Sequence, residues 1–600
     1  IAPGFNPGVH FQAHAGRRFE SPAKRGDNRG NGWCSSQPAV TPGGSNMRRP
    51  VLAALVILLA TSLTAQGQSD PVDHMTWWRE ARFGLFIHWG PVSLKGTEIG
   101  WSRGGERRGT GGTGDIPLEV YDNLYREFNP VEFDAREWVQ IALNAGMKYL
   151  VFTSKHHDGF CMFDSALTEY KITNSPFQRD VVRELADACH EAGLKVGWYY
   201  SPPDWHHPDY RTANHARYIE YLHGQLRELC TNYGKIDILW FDGLGGTAED
   251  WDAEKLVTMI RELQPGIVIN DRAGLPEDHA TPEQRVGAFN RNRRWETCMT
   301  ICNQWAWKPD DTMKTLDKCI DVLVRTAGGD GNLLFNVGPM PDGRIEPRQV
   351  DRLAEMGAWL GQFGETIYGT RGGPYMPSAW GASTCKNSRV YLHVLDWNQV
   401  KDGRIELPPL PRAIIRHELL TGGAVKLENT PEALILHFDA SARVEPDTIL
   451  ALEVEGNAED LSPIPLPTEI VQGNFAASNV YESMDMYSPA MAFDGNPETR
   501  WATDSGTHQA WLQIRFNEPR KISQILVSEA CGDRIQKFEL QQSDDGKHWT
   551  TFYTGEKLGM NGRARFEAIT TSGVRLKILE ATEGPTLWEV QFSEKQDNAE

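Results

Sequence analysis

Short apolar runs alternate with helical patterns between about residues 82 and 338 of the 600-residue chain. Runs such as 147–153 and 236–241 are rich in bulky and β-branched residues, which is typical of buried strands. Asp134 stands at the start of one intervening helical pattern and Gly146 and Gly193 stand where two such patterns end, as helix caps do. The alternation predicts a parallel sheet with crossover helices.

We expect this α/β region, residues 66–370, to form a (β/α)8-like barrel, since a barrel of this kind takes about 250 residues or more. An open doubly wound sheet is the alternative. Such a sheet usually carries a G-x-G-x-x-G loop after its first strand, and the sequence has none there.

Beyond a predicted helix at 348–363 the pattern changes to short alternating strands separated by proline and glycine turns. We predict two β-sandwich domains, at 371–462 and 468–597, joined by a proline-containing linker. The predicted fold class is therefore α/β, with a (β/α)8-like barrel followed by two β-sandwich domains.

The first 65 residues differ from everything that follows. Residues 1–46 have no hydrophobic periodicity, and we expect them to be an upstream artefact of translation or disordered. Residues 47–65 have two arginines, a short apolar run and a small-residue end, as a secretory signal peptide has. We expect a secreted or periplasmic protein without a membrane span after signal cleavage; the alternative is a disordered extension before a membrane anchor.

Composition narrows the class of ligand. The net charge of −19 argues against nucleic-acid binding, and 20 tryptophans could offer flat surfaces to sugar rings or simply fill a large core. The nine cysteines are scattered, and Cys298 and Cys302 lack histidines at zinc-binding spacing. We predict neither a disulfide framework nor a structural zinc site.

Several predicted strands end in polar or aromatic residues that a closed barrel would bring to one face: His88, His156, His157, Tyr199, Asp242 and Arg272. A glycoside hydrolase needs two carboxyl groups, one ionised and one protonated, beside the scissile bond. Asp242, which closes the run Leu239-Trp240-Phe241, is the first candidate, although an acidic residue there could also only begin a turn. The candidates for the second are Asp271, Glu277, Glu283 and Glu296.

His156 and His157 are adjacent, and strand alternation predicts that their rings point to opposite faces. That expectation argues against the two histidines binding one metal ion together. The alternative to sugar binding is then a hydrogen-bonded pair in the core.

Together these motifs resemble family 29 of the glycoside hydrolases, the α-L-fucosidases, over about residues 72–370. The matching stretches, in the family's order, are Phe83–Gly90, Lys155–Phe160, Leu239–Gly243, Asn270–Arg272, Trp295–Thr297, Gly331–Leu334 and Asn336–Pro339. The resemblance implies a retaining exo-α-L-fucosidase without a catalytic cofactor, with Asp242 as the nucleophile. It places fucose-ring contacts on His88, Glu98, His156, His157, Tyr199, Trp240 and Arg272.

The acid/base is held on a variable loop in that family, usually a dozen or so residues before the Trp-Glu pair. Glu283 fits this position, so the resemblance favours it over Glu296, the alternative acid/base, which we expect to be more buried and structural. The expected partners are a fucosylated oligosaccharide, glycoprotein or polysaccharide.

The last domain resembles the discoidin, or coagulation factor 5/8 C-type, module through the run Ala492–Trp501 and Trp588-Glu589. The resemblance implies a structural calcium ion held by Asp494, Asn496, Thr499 and Glu589, whose oxygen atoms suit a hard cation. A plain Asp-Gly turn is the alternative.

Two other functions remain open from the sequence. A non-catalytic, secreted fucose-binding lectin-like protein would keep the barrel as a binder, and an exo-hydrolase of galactosides would use similar hydroxyl contacts.

Overall fold

The computed structural model describes residues 73–464, 472–495, 499–530, 534–559 and 562–593. The expected upstream stretch 1–46, the predicted signal peptide 47–65 and the predicted calcium ligand Asn496 lie outside these residues. Across the described ranges, no helix combines the length and the apolar character that crossing a membrane requires.

A seven-stranded parallel sheet forms the first part of the described chain, in the order β5-β4-β3-β2-β1-β7-β6. The strands are β1 Phe83–Ile87, β2 Tyr149–Lys155, β3 Lys195–Tyr200, β4 Ile238–Phe241, β5 Val268–Ile269, β6 Glu296–Thr300 and β7 Asn332–Val337. Nearly every strand residue is buried, as expected of a parallel sheet that is covered on both faces.

Helices connect and cover these strands: α1 Thr76–Ala81, α2 Leu118–Tyr121, α3 Ala135–Asn144, α4 Val181–Ala192, α5 His215–Asn232, α6 Ala248–Trp251, α7 Ala253–Leu263, α8 Leu316–Gly328 and α9 Pro347–Phe363. The predicted caps are confirmed at α3 and α4. The Asp134 carboxylate accepts the Arg136 amide at 2.8 Å, and Gly193 ends α4 in the left-handed region at φ 71°.

Side-chain alternation divides the hydrophobic residues of the sheet into two cores. In β4, Leu239 and Phe241 pack among the helices, whereas Ile238 and Trp240 join an aromatic core inside the curve of the sheet. That inner core also contains Phe86 and Tyr199. It forms the floor beneath the carboxyl ends of the strands.

An irregular segment, 279–284, lies between the β5 and β6 edges of the sheet. His279 forms a single bridge with Asn270 beyond β5, and Glu283 forms one with Cys298 of β6. The Gln284 amide donates to the Cys298 carbonyl at 2.9 Å. The sheet therefore has seven regular strands and a bridged segment where a (β/α)8 barrel would have an eighth.

Two antiparallel sheets follow, of five strands in the order β12-β15-β10-β9-β8 and of three in the order β11-β14-β13. Their strands are β8 Arg371–Gly372, β9 Gly381–Lys386, β10 Arg389–Val394, β11 Arg404–Leu407, β12 Ile414–Leu419, β13 Val425–Asn429, β14 Leu434–Phe438 and β15 Thr448–Val454. A separate apolar core, with Leu392, Leu436 and Leu450, fills this part.

A buried ion cluster joins the barrel to these sheets. Arg82, which precedes β1, contacts Asp330 at 2.6 Å, and Asp330 also contacts Arg371 of β8 at 2.6 Å. Arg82 also donates to the Gly331 carbonyl at 3.0 Å and to the Thr370 carbonyl. An almost fully buried guanidinium needs several hydrogen-bonded and charged partners, because it has lost its contact with water.

The described C-terminal residues form one antiparallel sheet. Its longest strands, β18 and β21, have 20 residues each and pair with each other with register shifts. Its strands are β16 Gly473–Ala477, β17 Trp501–Ala502, β18 Ala510–Glu529, β19 Ile535–Gln542, β20 Thr550–Gly555, β21 Gly562–Ala581 and β22 Thr586–Ser593. The predicted fold class, a parallel α/β barrel-like domain followed by antiparallel β domains, is confirmed.

Candidate active site

Asp242 follows β4 directly and is held by three side chains from neighbouring strand ends. Its carboxylate accepts the Tyr199 hydroxyl at 3.0 Å and the Arg272 Nη1 at 3.0 Å. The His157 Nε2 lies 3.4 Å away. The Asp242 side chain keeps 14% of its surface exposed, so it is held firmly but can still be reached.

Arg272 links two carboxylates. It lies in a short 3-10 turn, Asp271–Ala273, just beyond β5, and its Nη2 contacts the Glu283 carboxylate at 2.8 Å. Its Nε donates to the Thr281 hydroxyl at 2.6 Å, and its guanidinium stacks 4.7 Å from the Trp240 ring. Because Nη1 holds Asp242 and Nη2 holds Glu283, one rigid group fixes the spacing of both carboxyls.

The surroundings move the pKa values of these two carboxyls apart. Burial by itself would raise the pKa of Asp242, but Arg272 and His157 hold it well below its usual range. The pKa of Glu283 is raised, mainly by burial and further by the charge of Asp242, against the opposing effect of Arg272. A pair pushed apart in this way can place one ionised and one protonated carboxyl in the same site.

Glu296 occupies a different environment. Its side chain is 1% exposed, against 23% for Glu283. Its carboxylate accepts the Tyr149 hydroxyl at 2.5 Å and the Trp240 Nε1 at 3.1 Å, both within the inner aromatic core. Glu296 is thus the more buried of the two, as predicted.

The other two carboxylate candidates are paired elsewhere. Asp271 contacts Arg293 at 3.2 Å, and Glu277 contacts Arg261 at 2.5 Å. Neither pair includes Arg272, so the structure brings Glu283 rather than these groups to the nucleophile candidate.

His88 follows β1 and is held by Asn336 of β7, with His88 Nδ1 2.7 Å from the amide oxygen. Burial lowers the pKa of His88 to about 3, although Asn336 opposes this shift. The imidazole is therefore neutral at neutral pH. The contact with the Asn336 oxygen places the proton on Nδ1, which leaves Nε2 as an acceptor.

The expectation that His156 and His157 face opposite sides is wrong. Their rings lie 4.1 Å apart, and the His156 ring stacks on Tyr199 at 5.5 Å. The physical reason is that β2 ends at Lys155, so strand alternation does not extend to the two histidines. His157 Nδ1 contacts the Ser201 hydroxyl at 2.6 Å, which leaves its Nε2 directed at Asp242.

The surroundings disfavour the charged forms of His156 and Tyr199. Burial, and then the neighbouring His157 and His88, hold the pKa of His156 well below its usual value. Burial and the nearby Asp242 raise the pKa of Tyr199 well above its usual value. Tyr199 therefore stays protonated and remains a hydrogen-bond donor to Asp242.

Glu98 supports the site from a loop. Its carboxylate accepts the backbone amides of Trp305 at 3.1 Å and Ala306 at 3.2 Å. The Trp305 ring lies 4.8 Å from His88, so Glu98 anchors an aromatic wall of the site. Burial raises the pKa of Glu98 to about 7.

Sequence reasoning assigned no role to several residues that shape this site. They are Asn336, Ser201 and Thr281, which orient His88, His157 and Arg272, together with Trp101 and Trp205. Asn336 and Ser201 lie at the ends of β7 and β3, so the strand-end rule could have included them. The tryptophans come from loops, for which no such rule exists.

The described residues contain no group of three or more His, Cys, Asp or Glu side chains placed to hold a metal ion. The predicted calcium set includes only two carboxylates, Asp494 and Glu589. The Thr499 hydroxyl contacts the two Asp494 oxygens at 2.9 and 2.7 Å, so two of the expected oxygen ligands share one turn. Oxygen donors of this kind fit calcium.

Fold and site together define a class. Paired carboxyls with divergent pKa values stand among histidines and aromatic rings at the carboxyl ends of parallel strands, as in barrel enzymes that cleave glycosides.

The family within that class follows from comparison. A family model described as alpha-L-fucosidase matches residues 61–365, just over half of the chain, and an F5/8 type C domain model matches 474–590. The chain therefore belongs to the alpha-L-fucosidase family and carries a C-terminal F5/8 type C, or discoidin, domain. Its activity is that of an alpha-L-fucosidase.

Curated relatives agree. Human plasma alpha-L-fucosidase is 32% identical over 362 residues, which cover 54% of this chain and 76% of the relative. Tissue alpha-L-fucosidase of Macaca fascicularis is 30% identical, with 58% and 85% covered. Among solved structures, alpha-L-fucosidase isoenzyme 1 from Paenibacillus thiaminolyticus is 39% identical at a TM-score of 0.58, with 64% of this chain and 99% of that chain covered.

Proposed function

We propose that the protein is a retaining exo-α-L-fucosidase that removes terminal α-L-fucose from an oligosaccharide, glycoprotein or polysaccharide. The observation that carries the proposal is the Arg272 guanidinium, which contacts Asp242 through one terminal nitrogen and Glu283 through the other. Two carboxyls held this closely suit the retaining geometry, in which they lie on the order of 5 Å apart, better than the wider inverting one.

In the proposed first step, an Asp242 carboxylate oxygen forms a bond to the anomeric carbon of fucose. The bond from that carbon to the leaving oxygen breaks, and Glu283 gives its proton to that oxygen. In the second step Glu283 takes a proton from water, the water oxygen bonds to the anomeric carbon, and Asp242 leaves. The lowered pKa of Asp242 and the raised pKa of Glu283 support this division of roles.

A relative supports the covalent step. A Bacteroides thetaiotaomicron GH29 alpha-L-fucosidase, described as a trapped covalent intermediate in complex with 2-fluoro-fucosyl fluoride, is 28% identical at a TM-score of 0.56. Its match covers 64% of this chain and 96% of that chain.

We assign the fucose-ring contacts to His88, His156, His157, Tyr199, Trp240 and Arg272. Neutral His88 can accept a hydrogen bond from a sugar hydroxyl at Nε2. The Tyr199 oxygen can accept one while its O–H donates to Asp242, and Arg272 can donate one. Glu98 belongs to the same proposal; its backbone contacts with Trp305 and Ala306 support a positioning role beside any contact with sugar.

Two further parts of the proposal rest on the sequence patterns alone. Residues 47–65 support export to the periplasm or the medium. Asp494, Asn496, Thr499 and Glu589 would hold a calcium ion that stabilises the C-terminal domain.

Release of nitrophenol from an aryl α-L-fucoside and an aryl β-D-galactoside tests the proposed activity. We expect the fucoside to be the faster substrate, and Asp242→Ala to lower kcat by at least about a thousandfold, because the nucleophile is lost. Unchanged thermal unfolding would show that the Asp242 variant folds.

Glu277→Gln is the matched control, because Glu277 pairs with Arg261 outside the site. It should retain activity. Faster cleavage of the galactoside, or turnover by Asp242→Ala close to that of the wild type, would contradict the proposal.

A further inference from the structure

Backbone groups of the loop that carries Glu283 contribute to its attachment to the barrel. The Cys298 amide donates to the Pro282 carbonyl at 3.0 Å, and the Thr297 hydroxyl donates to the Arg285 carbonyl at 3.0 Å. Between these contacts the Gln284 backbone adopts a left-handed conformation at φ 56°, which residues other than glycine rarely adopt. The contacts of Pro282 and Arg285 therefore hold the chain on both sides of this unfavourable turn.

The Arg285 side chain extends to the C-terminal domain. Its guanidinium carbon lies 5.0 Å from the centre of the Trp588 ring. Trp588 is in β22, where its neighbours Leu587 and Val590 are buried in the core of that domain while Trp588 itself is half-buried. A cation at this distance from an indole face is attracted by the ring.

Trp588 is itself held in place by its own domain. Arg500 lies 5.1 Å from the Trp588 ring and 5.4 Å from the Tyr487 ring. Together the four residues form a ladder of alternating cations and rings, Arg285–Trp588–Arg500–Tyr487. The ladder begins two residues from Glu283 and ends on the C-terminal domain.

We propose that Trp588 is a positioning residue for the acid/base, holding the 281–287 loop through Arg285 so that Glu283 stays directed at the leaving oxygen. This inference rests on the proposed role of Glu283. It gives the C-terminal domain an indirect part in catalysis, in addition to any binding of sugar by that domain. A small displacement of a catalytic group can cost a large factor in rate, so one stacking contact on this loop can matter.

The substrate series separates this role from a structural one. Dinitrophenolate is a good leaving group and departs from its α-L-fucoside with little help from an acid. The alkoxide of an alkyl α-L-fucoside is a poor leaving group and needs the proton from Glu283. We expect Trp588→Ala and Arg285→Ala each to lower kcat on the alkyl fucoside by about tenfold, with little effect on the rate of the first, bond-breaking step for the dinitrophenyl fucoside. The double variant should be no worse than either single variant, because both remove the same contact.

Two variants serve as controls. Trp588→Phe keeps a ring for Arg285 and should recover most of the lost rate. Trp511→Ala removes a tryptophan of the same domain that stacks on Arg575 at 4.7 Å and should leave the rates unchanged. Unfolding curves for every variant would identify any that fail to fold, and in that case Arg285→Ala carries the test from the barrel side.

Glu283→Gln, measured in parallel, distinguishes failure of this inference from failure of the proposed function. If Glu283→Gln slows the first, bond-breaking step equally for both substrates, the acid/base assignment is wrong. If Glu283→Gln shows the leaving-group dependence and Trp588→Ala does not, the inference about Trp588 is overturned. A raised KM with unchanged kcat in Trp588→Ala would also overturn it, because Trp588 would then contact the leaving sugar instead.

Discussion

At the scale of single residues, Arg272 organises the chemistry of the site. It stabilises the ionised form of Asp242 and at the same time holds Glu283, whose pKa is raised by burial and by Asp242. A lysine could provide the charge but not two fixed nitrogen atoms. The placement of the two carboxyls beside each other therefore depends on the planar guanidinium as well as on its charge.

Azide rescue tests the acid/base. Glu283→Ala should be slow on natural fucosides. With a dinitrophenyl fucoside, whose first step needs little acid, azide should restore turnover with formation of the α-fucosyl azide, because azide needs no general base. Glu296→Ala should not respond, since Glu296 is buried against Tyr149 and Trp240. Rescue in the Glu296 variant instead would transfer the role to that residue.

The pH profile tests the same assignment independently. Glu283 must be protonated for the first step, so kcat/KM should fall as pH rises through its raised pKa. Asp242 must be ionised, so its lowered pKa confines the acid-side loss to low pH. The wild-type enzyme should show this decline with an alkyl fucoside and much less of it with a dinitrophenyl fucoside, and Glu283→Gln should show none with the dinitrophenyl fucoside. A decline that persists in the variant would assign it to another group.

At the scale of elements, the Arg82–Asp330–Arg371 cluster fastens β8 to the barrel. Burial alone would raise the pKa of Asp330, but Arg82 and Arg371 lower it below its usual value. The stabilisation is present above the unfolded pKa of about 3.9 and is lost as pH falls through the lower folded pKa.

Asp330→Asn should lower the free energy of unfolding by about 3 kcal/mol, because it leaves two guanidiniums without their partner. Glu406→Gln removes one member of an exposed pair with Arg404 and should cost less than about 1 kcal/mol. Chemical denaturation of the two variants at neutral pH measures the difference. Equal costs would mean that burial does not strengthen the Asp330 cluster.

The helices and strands also show which parts of the fold can be predicted from the sequence. The start of α3 at Asp134, the end of α4 at Gly193 and the strand end at Phe241 follow from a cap, a glycine and an apolar run. The bridged segment 279–284 was not predicted as part of the sheet, because its polar residues lack a period of two. Its position depends on single contacts to β6, which a local pattern cannot contain.

At the scale of the whole molecule, the proposed calcium ion should act on the C-terminal domain alone. A chelator should lower the melting temperature of that domain, since an ion bound only to the folded state stabilises it by about 2.7 kcal/mol at a hundred times its dissociation constant. Asp494→Ala should remove the effect of the chelator on the melting temperature, while the barrel domain stays folded. Melting that is unaffected by chelator would reject the calcium proposal.

Local patterns were enough to predict an alternation of strands and helices, the strand-end positions of Asp242, His88 and Arg272, and the change to antiparallel domains after residue 370. These features repeat at short range, because hydrophobic periodicity and capping act within a few residues. Local patterns did not predict β6. With the added resemblance to a family, the sequence also favoured Glu283 over Glu296.

Only the tertiary structure decided which carboxylate shares a guanidinium with Asp242, that His156 and His157 lie side by side, and that Arg285 stacks on Trp588. These contacts join residues far apart in the chain or follow a strand end, where alternation no longer applies. Their energies come from burial and from charges brought together by folding, which no local stretch of sequence specifies.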